Sequence, residues 1–298
     1  MVDKFPDWIR VKAPINEEFK RVQQLAKGAC LETVCQAAAC PNIAECWKKH
    51  HATFMVMGDT CTRSCRFCNV PTGKPSALDK DEPRKVALAV KQLGLTHAVI
   101  TSVTRDDLPD GGAQHFAEII TNIHKFCPNT TVEVLIPDLL GKLDALNVVL
   151  DAKPDVLNHN IECVRRIHKG IKIGGDYDRS LSVLANAKKL SPTVFTKSGL
   201  ILGLGETDDE IYATMDDLRA ADVDFLTMGQ YLRPSAKNPR YVPVDRFVTP
   251  AQFNEYKRVG LKKGFLLVAS SPLTRSSYHA DEDFQKLKKA RILSSKSQ

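Results

Sequence analysis

Six short β-rich runs, each followed by a stretch with helical apolar spacing, set the strongest limit on how this chain can fold. The runs are residues 52–58, 97–103, 131–137, 155–161, 194–203 and 224–232. In "PRKVALAVKQL" the residues Val86, Ala89, Val90 and Leu93 fall on one helical face. Thr207 followed by Glu210 reads as a capping box, opening a helix that continues through Ile211, Met215 and Leu218. Such alternation predicts an α/β fold, a parallel sheet with right-handed crossovers. The expected form is a partial (β/α)6 TIM-like barrel, with a flat doubly wound sheet as the competing arrangement. A seventh apolar run, residues 264–271, either adds an edge strand or packs the end. The chain then divides into an N-terminal extension (1–50), the barrel (51–263) and a C-terminal extension (264–298), the two extensions closing over the barrel mouth.

Charge and hydropathy narrow the class of partner. Lys and Arg number 42 against 35 Asp and Glu, a net charge of +7. The excess is spread along the chain without a dense basic block, so no nucleic-acid partner is expected. The opening "MVDKFPDWIRVKAP" has no apolar core of signal-peptide length, and no segment approaches the ~20 apolar residues of a membrane span. The expectation is a soluble, cytoplasmic protein, in which nine cysteines are not a disulfide framework.

The cysteines are unevenly placed. Cys35, Cys40, Cys46, Cys61, Cys65 and Cys68 crowd into one stretch, whereas Cys30, Cys127 and Cys163 lie apart and read as structural thiols. "CTRSCRFC" follows the first strand directly, which puts Cys61, Cys65 and Cys68 at the C-terminal end of the barrel, where such folds carry their chemistry. Structural zinc would need a fourth ligand. His50 and His51 supply one on paper, but they precede the strand and belong at its opposite end. Three thiolates around a 4Fe-4S cluster instead leave one iron open to a substrate or cofactor. As one continuous helix, Cys35-x4-Cys40-x5-Cys46 would spread its outer thiols about 16 Å along the axis. The segment must therefore fold back, and Pro41 is placed to interrupt it.

The C-x3-C-x2-C spacing, with Phe67 before the third cysteine, resembles the signature of the radical S-adenosylmethionine superfamily. Within it, the second trio ahead of the first resembles the lipoyl synthases, as do residues 101–113, "NHNIE" (158–162), "GLILGLGE" (199–206), "GQYLRPS" (229–235) and "RSSYHAD" (275–281). The resemblance runs from about residue 7 to residue 285.

That resemblance implies a sulfurtransferase that inserts two sulfur atoms, at the sixth and eighth carbons of an octanoyl chain bound to a lysine of a lipoyl carrier domain. One 4Fe-4S cluster, on Cys61, Cys65 and Cys68, would generate a 5′-deoxyadenosyl radical from S-adenosyl-L-methionine. A second, auxiliary 4Fe-4S cluster on Cys35, Cys40 and Cys46 would donate sulfur, with a serine of Arg275-Ser276-Ser277-Tyr278 as fourth ligand. Ser277 is the expected one and Ser276 the alternative. Phe67 would offer its backbone to the adenine. Asn158, Asn160, Gly203 and Glu206 are candidate S-adenosylmethionine contacts, though strand-end asparagines and glycines serve packing equally well. Asp106 and Asp107 read as helix caps near Gly112. The partners implied are octanoylated carrier domains of 2-oxoacid dehydrogenases and of the glycine cleavage H protein, with a ferredoxin or flavodoxin as electron donor. Another radical sulfur inserter, a methylthiotransferase or a biotin-synthase-like enzyme, is the alternative function.

Overall fold

The computed structural model describes residues 5–11, 17–28, 31–48 and 52–295. Cys30, His50 and His51 fall outside that set. All six expected strands form, as β2 (Thr53–Val56), β3 (His97–Ser102), β4 (Thr131–Leu135), β5 (Val156–Asn158), β6 (Phe195–Leu202) and β7 (Phe225–Gln230), and the seventh apolar run supplies β8 (Leu267–Ser270). A two-residue β1 (Glu32–Thr33), which no apolar run announces, pairs antiparallel with β2 through Glu32 opposite Met55. From β2 to β8 every pairing is parallel and sequential, in the order β1-β2-β3-β4-β5-β6-β7-β8. The strands curl as a partial barrel, with β1 and β8 at the two edges of the sheet.

Helices cover the outside, and their ends follow local rules. The Asp208–Ala220 helix carries the expected capping box between Thr207 and Glu210. A second box joins Thr249 and Gln252 ahead of Pro250–Lys262. The Ala113–Phe126 helix departs from expectation. Asp110, not Asp106 or Asp107, takes its free N–H groups, accepting from Gly112 and Gln114 at 2.9 and 2.8 Å. Asp106 and Asp107 are instead bound to Arg63 and Arg105. No helix among the described residues is long and apolar enough to cross a membrane.

The lower part of the barrel is sealed in two ways. Helix Ala280–Ser295 stacks Phe284 on His97, ring centroids 5.1 Å apart, and sets it edge-on to Phe195, both at the first positions of their strands. Inside the lumen, Lys197 reaches Glu133 at 2.9 and 3.2 Å, with side chains only 1% and 2% exposed. Asn158 donates to the same carboxylate at 3.2 Å. Burial alone would raise the Glu133 carboxyl, but Lys197 and then His97 outweigh it and hold it down at about 2.

At the end of β5, His159 is buried between two partners. The Ile136 carbonyl, 2.8 Å from Nδ1, can only accept, so Nδ1 carries the proton, and Nε2 lies 3.0 Å from the Ser180 hydroxyl, which also donates to the Asp176 carbonyl at 2.8 Å. Burial, reinforced by Lys172, pushes this imidazole down to about 3.

Two outcomes are expected in urea unfolding. Lys197→Met strands a buried carboxylate and should cost about 3–5 kcal/mol, whereas Lys197→Met with Glu133→Leu should recover most of that; equal losses would contradict the pairing. The second concerns pH. Because His159 stays neutral in the fold while its unfolded counterpart takes a proton near pH 6.5, its contribution is complete above that pH and declines as pH falls toward 3. Between pH 6.5 and 5, above most carboxylate titration, His159→Gln should therefore lose stability less steeply than the parent chain.

Candidate functional site

At the end of β2 the chain turns through Met57 and Gly58, both at positive φ, and delivers the first thiol loop to the barrel mouth. The loop closes on itself where the Cys61 amide donates to the Pro71 carbonyl at 2.8 Å and the Gly73 amide to the Cys61 carbonyl at 3.0 Å. Its anchor is Arg63, whose guanidinium donates to Asp106 at 2.7 and 2.9 Å and to Asp138 at 3.0 and 2.6 Å. Arg179 donates to the same Asp138 at 2.8 Å. Asp138 is wholly buried, yet Arg63 and Arg179 hold its carboxyl far below the usual range against the effect of burial. Gly174, at φ +83°, leaves room for this anchor, because a Cβ there would lie 3.1 Å from the Arg63 side chain.

Cys61 Sγ accepts two backbone N–H groups, from Thr104 at 3.3 Å and Arg63 at 3.4 Å. Burial pushes the Cys65 thiol up to about 12, with Cys68 and Cys61 adding to the rise, and burial likewise raises Cys68. Among the described residues, no three metal-binding side chains are gathered into a ready-made metal site. Cysteine thiols ionise when a cationic centre binds them and are the usual ligands of iron–sulfur clusters, so the chemistry of this donor set fits one.

The second trio folds back as its spacing requires. Helix Val34–Ala37 ends in a turn where the Cys40 amide donates to the Cys35 carbonyl at 3.0 Å. Pro41 follows, and the chain resumes as helix Ile43–Lys48. Burial and the neighbouring Cys40 push Cys35 up to about 11. Burial raises Cys40 as well, against a lowering pull from Arg275. The C-terminal motif is fastened to this segment through Asn42 and Glu45: Asn42 Nδ2 donates to the Leu273 carbonyl at 2.6 Å, the Tyr278 hydroxyl donates to Glu45 at 3.0 Å, and His279 Nε2 lies 3.5 Å from the same carboxylate.

Both trios, with Ser276 and Ser277, open onto one cavity of about 660 Å³. Phe67 and Asn160 line it too. The Asn160 amide and the Ser276 hydroxyl are joined in both directions, at 2.8 and 3.1 Å, across 116 residues of chain. Gly199 admits that amide, since a Cβ there would come within 2.8 Å of Asn160 Oδ1.

Three expected contacts lie elsewhere. Asn158 is fully buried deeper in the lumen, its amide spent on Glu133. Gly203 and Glu206 do not line the cavity; Ile201, two residues earlier, does. The Glu206 carboxylate accepts from the Gly203 and Leu204 amides at 2.7 and 2.8 Å, tying its own turn. A Cβ at Gly203 would lie 2.3 Å from Gln230 Nε2 and 2.4 Å from the Arg246 carbonyl, so this glycine serves packing.

Among the cavity residues that the sequence did not announce are Glu162 and Lys172. Burial raises the Glu162 carboxyl against the pull of Lys172, and burial lowers the Lys172 amine against the pull of Glu162. Lys172 also donates to the Asn160 carbonyl at 2.7 Å. The signal for Glu162 was present, as the last residue of "NHNIE" at φ +72°. Lys172 had none, since nothing in "GIKIGG" distinguishes it from a solvated lysine.

Residues 55–218 match the Radical SAM superfamily, a span that covers more than half of the chain and contains the first thiol trio. The fold is similar to the FeFe-hydrogenase maturase HydG from Carboxydothermus hydrogenoformans, with a TM-score of 0.58 and 16% identity over 91% of this chain and 68% of that one. It is also similar to methylornithine synthase (PylB), at 0.54 and 13% over 81% of each chain. A third similar structure is SuiB from Streptococcus suis bound to S-adenosylmethionine, at 0.56 and 11% over 85% and 61%. The family match and the three-cysteine loop at the barrel mouth agree, and this chain belongs to the radical SAM superfamily.

Proposed function

We propose that this chain builds the lipoyl group, inserting two sulfur atoms at the sixth and eighth carbons of an octanoyl chain carried on a lysine of a lipoyl carrier domain. The observation that carries the reading is the opening of two separate thiol trios and an R-S-S-Y segment onto a single cavity. A radical enzyme with one cluster has no use for the second set. When bound, a cluster on Cys61, Cys65 and Cys68 would supply the electron that cleaves S-adenosylmethionine, and one on Cys35, Cys40 and Cys46 would supply sulfide.

The chain's own residues do the rest. Saturated carbons offer no acidic proton and no leaving group, so the protein's part is to position and to exclude water. Val99, Val103, Met55 and Leu135 give the cavity an apolar side suited to an alkyl chain. Glu162, Lys172 and Asn160 give it a polar side suited to the amino, carboxylate and hydroxyl groups of S-adenosylmethionine, with the Phe67 backbone available to adenine. A serine hydroxyl from the C-terminal motif would complete the second site. Ser277 is assigned that role and Ser276, which is already paired with Asn160, is the alternative. The net charge of +7 suits acidic partners, both a carrier domain and a ferredoxin or flavodoxin.

Anaerobic incubation with S-adenosylmethionine, a strong reductant and an octanoyl-lysyl carrier domain should give, by mass spectrometry, a product with two added sulfurs and fewer hydrogens, together with 5′-deoxyadenosine. Formation of 5′-deoxyadenosine with no sulfur on the chain would refute the substrate assignment. Replacing Cys35, Cys40 or Cys46 by Ala should stop sulfur insertion and leave part of the S-adenosylmethionine cleavage, whereas Cys61→Ala should remove both. Equal loss from the two sets would contradict their division of labour.

A further inference from the structure

Two of the three residues between the first two cysteines of "CTRSC", Thr62 and Arg63, are tied to the turn beyond β3. The Thr62 amide and hydroxyl both donate to the Thr104 carbonyl, at 3.1 and 2.9 Å, and the same hydroxyl accepts from the Asp106 amide at 3.1 Å. One threonine thus grips the first turn beyond β3 from both ends. Held inside that grip is the Thr104 amide, which donates to Cys61 Sγ at 3.3 Å. The adjacent Arg63, fixed by Asp106 and Asp138, turns its own amide on the same sulfur at 3.4 Å. Cys61 is the first thiol of the loop, and its sulfur receives one donor from each side of the clamp.

Hydrogen bonds to a ligating sulfur stabilise the more negative, reduced state of an iron–sulfur cluster and so raise its reduction potential. Backbone donors do this only if held in place, because a peptide N–H that swings a short distance exchanges the sulfur for water. We propose that Thr62 is a positioning residue of the first thiol site: it holds the Thr104 amide on the Cys61 sulfur and thereby sets the reduction potential of the cluster that forms there. The inference rests on membership of the radical SAM superfamily and is independent of which carbon chain the enzyme modifies.

The test uses the full-length protein, reconstituted anaerobically, with Thr62→Val and Thr62→Ser. Valine keeps the shape and loses the hydroxyl; serine keeps the hydroxyl. Redox titration is followed by the electron paramagnetic resonance signal that changes when S-adenosylmethionine is added, which separates the first cluster from any second one. Thr62→Val should shift the midpoint to more negative potential, and Thr62→Ser should restore the parent value. If Thr62→Val instead loses its iron while Thr62→Ser keeps it, with unchanged circular dichroism in both, the positioning role is likewise upheld. A midpoint in Thr62→Val equal to the parent's, or equal changes in the two variants, would overturn the proposal. Absence of any signal responsive to S-adenosylmethionine in the parent protein would instead overturn the reading of the site.

Discussion

A carboxylate with no exposure to water, Asp138, carries two arginines, and the barrel mouth is organised around that fact. Leaving it without them would be expensive, because an uncompensated buried charge costs several kcal/mol. Arg63 comes from the first thiol loop, Arg179 from the Tyr177–Leu190 helix, and Asp106, on Arg63's other side, from the turn after β3. Three connections that share no ladder hydrogen bond are thereby held in one frame. Thiols can be aimed at a common point only if the loops bearing them do not drift, and the ion cluster provides that rigidity where the sheet has ended.

A second frame holds the other trio. Helix Val34–Ala37 lies against β1 and β2, and helix Ile43–Lys48 against the Glu17–Gly28 helix with Trp47 fully buried and stacked on Phe19, so the N-terminal segment is packed as a part of the core. The C-terminal motif comes to it from the far end of the chain. The result is a site whose two halves arise by different means, one from loops at strand ends and one from segments that flank the sheet.

The strand alternation was legible because each buried parallel strand needs a run of apolar residues, and all seven runs became strands. β1 was invisible, since two residues hold no periodicity. The first trio was legible because its spacing is local, and the folded second trio followed from helix geometry and Pro41. The polar contacts were harder to read. Glycines and glutamate at 203–206 have the composition of a ligand loop, yet Gln230 and Arg246 come from distant residues to occupy the space. Asn158 and Asn160 differ by one strand repeat, and only the depth of the Glu133–Lys197 pair decides which of them meets the cavity. Such distinctions depend on tertiary neighbours and leave no periodic trace.

Between Leu273 and His279, the backbone hydrogen bonds of the described residues are local to the segment, and its attachments outward run through Asn42, Glu45 and Asn160 side chains. The segment beside the second thiol trio is therefore held by side-chain bonds instead of a strand ladder. Side chains of the N-terminal segment and of the turn after β5, not a shared sheet edge, therefore fix where Ser276 and Ser277 sit at the cavity.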